Sequence, residues 1–129
     1  MYPYLLVNLR GGANFVRVDS KNEFHRIAGS TIGIHAIIGI LRSLNIFEDP
    51  IDALPGALVG DSSNIDLSVG DIYGGGCDAL GMPSDWIASS FGKITNTSNA
   101  RKTLNKNDIA RSLLSMVTVN TLIYSKQIA

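Results

Sequence analysis

Two short segments of this sequence carry groups that can hold an anion. Arg26 lies just before the stretch Gly29-Ser30-Thr31-Ile32-Gly33, and its planar guanidinium can hold two oxygens of a carboxylate or phosphate at once. The second segment, Arg10-Gly11-Gly12, is a glycine-rich turn whose backbone N–H groups are open to a ligand. From the residues alone, a solvated surface arginine and an ordinary hairpin turn are the favoured interpretations.

The acidic and histidine residues give weaker signals. The spacing and the neighbours of Asp61, Asp66 and Asp71 favour helix caps and surface turns over a metal site. His35 has no identified partner, so it is expected on a helix surface rather than acting as a base. We therefore assign no catalytic residue and no metal ligand in this chain.

The composition describes one small globular domain. The chain has 129 residues, of which 45% are apolar and 17% charged, enough for a single hydrophobic core. Eleven basic residues balance eleven acidic ones, so we expect no binding to nucleic acid or to a membrane surface. The lone Cys77, with no long apolar run and no signal peptide, favours a cytoplasmic protein.

The first third of the chain predicts an antiparallel meander. Residues 4–9 and 13–19 are rich in β-branched and large apolar side chains, and residues 23–27 restore the alternation after a polar turn. Residues 34–44 then carry apolar side chains at helical spacing, which predicts a helix. These strands, followed by helices, indicate an α/β or α+β fold.

The middle of the chain predicts shorter elements. Pro55 should break any helix that begins near Ile51. Residues 61–64 offer several capping side chains for a short helix over residues 65–67. Residues 86–91 predict a short strand.

The end of the chain predicts a polar linker and a helix. Residues 95–106 are polar and are expected to form the exposed linker. Asn107 or Asp108 is expected to cap the last helix. Asn120 falls in the apolar stripe of that helix, so it should be at least partly buried and hydrogen-bonded.

Five segments, in order, resemble the type II (eukaryotic-type) pantothenate kinases. They are Tyr2-Pro3-Tyr4-Leu5-Leu6-Val7-Asn8, residues 26–33, Val69-Gly70-Asp71-Ile72-Tyr73-Gly74-Gly75, Ile87-Ala88-Ser89-Ser90-Phe91-Gly92-Lys93, and Asp108-Ile109-Ala110-Arg111-Ser112-Leu113-Leu114. The resemblance implies an actin-like (ribonuclease H-like) lobe of the acetate and sugar kinase/Hsc70/actin superfamily. It also implies ATP-dependent phosphorylation of pantothenate in coenzyme A synthesis, with Mg²⁺, inhibition by acyl-CoA and a homodimer.

The resemblance also implies site residues. Those for the substrate or acyl-CoA are Gly11, Gly12, Asn14, Arg26 and Ala88, and those for the nucleotide are Gly29, Ser30, Thr31 and Gly33. The chain departs from the family pattern at several of these places. Arg10 replaces the first glycine of the turn, Asn14 replaces a serine, and Ile34, His35 and Ala36 replace residues of a glycine-rich motif. If position 10 needed a positive φ, Arg10 would be strained there. The bulkier residues at 34 and 35 should obstruct the pocket.

In the family, the phosphate loop, the metal-binding aspartate and the catalytic glutamate precede the strand that starts this sequence. The expectation is therefore a partial domain over residues 1–129, mainly the second lobe, with little or no kinase activity alone. The alternative is a non-catalytic module that binds acyl-CoA or pairs with a full-length kinase. A third reading is the product of a decaying gene copy.

Overall fold

The computed structural model describes residues 1–95 and 104–129, so most of the predicted linker lies outside the described residues. The chain divides into two compact units. The first comprises Met1–Ile46 and Met116–Ala129, and the second comprises Phe47–Ser115. The prediction of one domain over residues 1–129 stays a prediction.

The first unit contains the predicted meander. Strands β1 (Tyr4–Leu9), β2 (Ala13–Ser20) and β3 (Glu23–Ser30) form an antiparallel sheet in the order β1-β2-β3. β3 is longer than predicted because its pairing with β2 continues past an irregularity next to Phe15 as far as Ser30. In this register Ser30, the last residue of β3, is paired with Ala13, the first residue of β2.

One face of this sheet forms the core of the first unit. Ala13 and Phe15 are buried on this face. Helix α1 (Ile34–Leu44), which has the predicted bounds, buries Ile37 and Leu41. The ring of Tyr124 meets that of Phe15 edge-on, with centroids 4.9 Å apart. Phe15 is thus packed on one side of β2, while the neighbouring residues point to the other side.

The second unit is built from many short elements. In chain order they are a 3₁₀ turn at Pro50–Asp52, α2 (Ala53–Val59), a 3₁₀ turn at Ser62–Asn64, β4 (Leu67–Ser68), α3 (Val69–Tyr73), a 3₁₀ turn at Asp78–Leu80, β5 (Ile87–Ser89), a 3₁₀ turn at Gly92–Ile94 and the start of α4 (Lys106–Ile128). Strands β4 and β5 pair antiparallel, which confirms the central part of the strand predicted over residues 86–91. Sheets and helices together confirm a mixed α/β fold.

Two predictions for the second unit are wrong. Pro55 lies inside α2 rather than breaking it, because a proline in the first turn of a helix gives up an N–H that needs no partner within the helix. The short helix expected over residues 65–67 is absent. Asp61 does cap a 3₁₀ turn, but at Ser62–Asn64, and the next helix begins only at Val69.

The last helix differs from its prediction in its N-terminal cap and in the exposure of Asn120. Its first turn is capped by Asn105, whose Oδ1 accepts the N–H of Asn107 at 2.8 Å, and not by Asn107 or Asp108. Asp108 is buried instead. Asn120 is exposed, contrary to prediction, and its amide finds the expected partner, the carbonyl of Met116 at 2.7 Å.

Candidate anion-binding site

Arg26 lies on the exposed face of the three-stranded sheet. Its Cα partner is Val16, which shares a face with Asn14 two residues earlier. The Nε–H of Arg26 donates to Oδ1 of Asn14 at 2.9 Å, and both residues are exposed. Within residues 1–95 and 104–129, Arg26 has no carboxylate in ion-pair contact. The guanidinium is therefore held in place by a neutral partner, and no carboxylate among the described residues competes with a ligand for its positive charge.

Gly29 provides the space in which this guanidinium lies. A methyl group added at Gly29 would collide with Nη2 of Arg26 and would lie 3.1 Å from its Cζ. No other residue type leaves that space open, because every other side chain begins with a Cβ. Gly29 and Arg26, predicted for different ligands, are therefore parts of one arrangement.

The glycine-rich turn packs closely against the segment that follows β3. A methyl group added at Gly12 would collide with the carbonyl oxygen of Ser30, and one added at Gly33 would lie 2.6 Å from the carbonyl oxygens of both Gly11 and Gly12. The hydroxyl of Ser30 accepts the N–H of Ile32 at 3.1 Å. These contacts bring Gly11, Gly12, Ser30 and Gly33 together. They also place the carbonyl oxygens of the two turn glycines and the Ser30 hydroxyl in contact with the protein itself, so these groups are less available to a ligand.

The expected strain at Arg10 is absent. Within the described residues, Asn45 and Phe91 alone combine a side chain with a positive φ. Arg10 therefore adopts a conformation that any residue can take, and its carbonyl accepts the N–H of His35 at 3.3 Å. The turn behaves as an ordinary three-residue connection between β1 and β2.

His35 covers the glycine-rich turn. The side chain is exposed, which confirms its predicted place on a helix surface. Its Nδ1 lies 3.5 Å from the position that a Cβ on Gly11 would take, so the imidazole occupies the space above that residue. The expectation that residues 34 and 35 obstruct the pocket stays a prediction.

A cavity of about 300 Å³ lies under the edge of the sheet, and the sequence did not indicate it. The rings of Phe15 and Tyr124 line it together with Met116, Gly29 and Ser30. The helical spacing of Met116 and Tyr124 gives no sign that the packing leaves a space of this size, and Tyr124 remains 38% exposed.

Ala88 belongs to the second unit, where it is exposed on β5. The other predicted site residues lie in the first unit. The ligand roles assigned to all of them stay predictions.

The three aspartates considered as metal ligands from the sequence accept hydrogen bonds that hold turns and helix ends of the second unit. Oδ1 of Asp61 caps a turn by accepting the N–H of Ser63 at 2.9 Å, and Asp71 forms a reciprocal capping box with Ser68. Asp66 is not in a surface turn as predicted. It is buried, and its Oδ1 accepts the N–H of Phe91 at 2.8 Å.

Hydrogen bonds lower the pKa of two of these carboxyls. The hydroxyl of Ser63, followed by its backbone N–H, lowers the pKa of Asp61 below 3.8. The backbone N–H of Ser68, followed by its hydroxyl and by Lys93, lowers the pKa of Asp71 below the same value. Across residues 1–95 and 104–129, no three His, Cys, Asp or Glu side chains are grouped so that they could hold a metal ion. In the same residues, no helix has the length and apolar character needed to cross a membrane.

Fold and site together define a mixed α/β protein with a candidate site for a small oxyanion. A family model described as Fumble matches residues 1–128, and the chain belongs to this family. The predicted resemblance to eukaryotic pantothenate kinases is confirmed by individual relatives. Pantothenate kinase 2 of Arabidopsis thaliana is 37% identical over 121 residues, which are 93% of this chain and 13% of that protein. Pantothenate kinase of Schizosaccharomyces pombe is 35% identical over 124 residues, or 92% of this chain and 30% of that protein.

A relative with a different named activity matches equally well. The 4'-phosphopantetheine phosphatase of Mus musculus is 38% identical over 118 residues, covering 92% of this chain and 14% of that protein. The chain thus spans between about an eighth and a third of the length of the relatives it matches.

Proposed function

We propose that this chain recognises pantothenate or an acyl-CoA within a pantothenate kinase-type protein of coenzyme A biosynthesis, and that it does not phosphorylate pantothenate alone. The observation that carries the proposal is Arg26, fixed by Asn14 and free of any carboxylate partner among the described residues. Pantothenate ends in a carboxylate, and coenzyme A carries phosphates. Both groups are oxyanions that a guanidinium holds through paired hydrogen bonds.

The relatives support recognition rather than phosphoryl transfer as the shared role of this segment. Two of them are named pantothenate kinases and one is named a 4'-phosphopantetheine phosphatase. Pantothenate and phosphopantetheine share a pantoyl-β-alanine core, whereas the two named reactions move a phosphoryl group in opposite directions. A segment common to both kinds of protein suits ligands that share this core, with Arg26 holding the oxyanion that each carries, the carboxylate of pantothenate or the phosphate of phosphopantetheine.

The described residues do not fit a bound Mg²⁺. Five aspartates of the second unit already accept backbone N–H groups, and no three His, Cys, Asp or Glu side chains among the described residues are grouped so that they could hold a metal ion. No step of the proposed function therefore involves the metal. The nucleotide role of Gly29, Ser30, Thr31 and Gly33 remains part of the proposal by resemblance, as do ATP, the actin-like fold and the cytoplasmic location.

A second candidate is a non-catalytic module that binds acyl-CoA or pairs with another copy or with a full-length kinase. One observation favours it. Leu6 and Phe24 are 51% and 66% exposed. Both lie on the same face of the sheet as Arg26, since the Cα partner of Leu6 is Val16 and that of Phe24 is Val18. An apolar area next to a charged group suits either an amphipathic ligand or a partner chain.

Calorimetric titration of the purified chain with pantothenate and with acetyl-CoA tests the proposal. We expect Arg26→Ala to weaken binding of the preferred ligand by about 2 kcal/mol and Arg26→Lys to restore part of it. Arg17→Ala is the matched control, because Arg17 is an exposed arginine of the same sheet paired with Asp19 at 2.7 Å. Equal affinities for the chain and its Arg26→Ala variant would reject the proposal. Rapid ATP-dependent phosphorylation of pantothenate by the chain alone would reject its second part.

A further inference from the structure

The side-chain amide of Asn14 is the hydrogen-bond partner of Arg26. The bond uses the Nε–H of the guanidinium, at 2.9 Å from Oδ1 of Asn14. The Nη2 atom lies against Gly29, in space that a methyl group at that residue would fill. The guanidinium is therefore held at Nε by Asn14 and packs against Gly29 at Nη2.

We infer that Asn14 is a positioning residue, which turns the two Nη groups of Arg26 outward and so selects ligands that present two oxygens end-on. This inference rests on the proposed function, because it concerns the same ligand site. An arginine binds an oxyanion either through Nε and one Nη or through both Nη groups. Since Asn14 already accepts the Nε–H, binding through both Nη groups, which we call end-on, is the arrangement that remains.

A serine at position 14 could not make this bond. The hydroxyl of serine is one bond closer to the backbone than Oδ1 of asparagine, so it falls short of a guanidinium that lies 2.9 Å from the amide oxygen. An aspartate could make the bond, but its charge would compete with the ligand for Arg26. Asn14→Ser therefore tests the orientation of the Arg26 guanidinium, and Asn14→Asp tests the effect of a negative charge beside it.

Hydrogen exchange of the Arg26 side chain tests the orientation directly and without a ligand. In protein with ¹⁵N-labelled arginine, we expect the Arg26 Nε–H to exchange about two- to threefold faster in Asn14→Ser than in the unchanged protein. The Asn14→Asp variant should keep the slow exchange. Asn22→Ser, at an exposed turn position with no hydrogen bond to Arg26, controls for a general effect of the substitution.

Binding measurements then test the selection of ligand. Pantothenate presents a carboxylate, coenzyme A presents phosphates, and panthenol is the neutral analogue of pantothenate, so the three probes distinguish the two oxyanions from the uncharged core. We expect Asn14→Ser to weaken binding of the oxyanion probe about three- to tenfold with little change for panthenol, and Asn14→Asp to weaken it further.

The outcomes separate this inference from the proposed function. Unchanged exchange and unchanged affinity in Asn14→Ser would overturn the positioning role, even where Arg26→Ala abolishes binding. Full affinity in Arg26→Ala would reject the proposed function and the ligand selection with it. In that case the exchange rates alone would still decide whether Asn14 orients the guanidinium.

Discussion

The two units satisfy their backbone hydrogen bonds in different ways. In the first unit, β1, β2 and β3 pair with one another along most of their length. In the second unit, the strands are only two and three residues long, and side chains take over the role of the missing ladders. Five aspartates accept backbone N–H groups there: Asp49, Asp61, Asp66, Asp71 and Asp108.

This difference shows where a ligand site can form. Long ladders satisfy the backbone without help, so polar side chains on the exposed sheet face remain available, as Arg26 does. Where ladders are short, the acidic side chains are used up in holding turns and helix ends. The sequence predicts caps and turns for Asp61 and Asp71, and the structure confirms this role for them.

The largest expected effect concerns the close packing behind the glycine-rich turn. Gly33→Ala should lower the free energy of unfolding by roughly 2–3 kcal/mol, because its methyl group would lie 2.6 Å from the carbonyl oxygens of Gly11 and Gly12. Gly39→Ala, in the interior of α1 with open space around it, should instead stabilise the protein by about 0.5–1 kcal/mol. Urea denaturation measures both, and equal effects would contradict the close approach.

The next effect concerns the second unit. Asp66→Ala should lower the free energy of unfolding by about 2 kcal/mol, because it removes the acceptor for the N–H of Phe91, which holds a positive φ of 60°. Asp85→Ala is the control, since Asp85 is exposed and accepts no hydrogen bond within the described residues. If the two variants unfold at the same urea concentration, the aspartates are not structural and the contrast between the units is wrong.

A smaller effect is expected for the charged residue of the first unit. Arg26→Ala should change the free energy of unfolding by less than about 0.5 kcal/mol, because its hydrogen bond to Asn14 is exposed. Thermal unfolding followed by circular dichroism measures the change. A loss as large as that of Asp66→Ala would show that Arg26 belongs to the fold rather than to a ligand site.

The regular elements of the first unit could be predicted from the sequence, whereas the short elements of the second could not. The bounds of β1 and α1 follow from hydrophobic composition and periodicity over six or more residues, whereas β3 extends three residues beyond its prediction. In α2, by contrast, the position of Pro55 relative to the helix start decides whether it breaks the helix, and periodicity does not give that start. Tertiary contacts fix such short elements.

The candidate site shows the same limit. Residue types identified Arg26 and the glycines, but not the bond to Asn14 twelve residues away, which depends on the register of β2 and β3. The buried state of Asp66 was also missed, because nothing local to it reveals that Phe91 packs there. The spacing of Asn120 predicts burial, yet its side chain is exposed although Val117, one turn earlier, is buried.

The smallest expected effect concerns the stability of the protein in acid, where aspartates of the second unit become protonated. Hydrogen bonds lower the pKa of Asp61 and Asp71 in the folded state. The contribution of these bonds to stability is therefore fully present above pH 3.8, the ordinary pKa of the carboxyl, and is lost as the pH falls through the lowered pKa of the folded state. The chain should therefore lose more stability between about pH 5 and about pH 3 than its Asp71→Asn variant does, as urea denaturation at the two pH values can measure. Asp85→Asn should leave that loss unchanged. An equal loss in Asp71→Asn would mean that its bonds with Ser68 do not hold the turn, and that the second unit relies on its aspartates less than its short strands suggest.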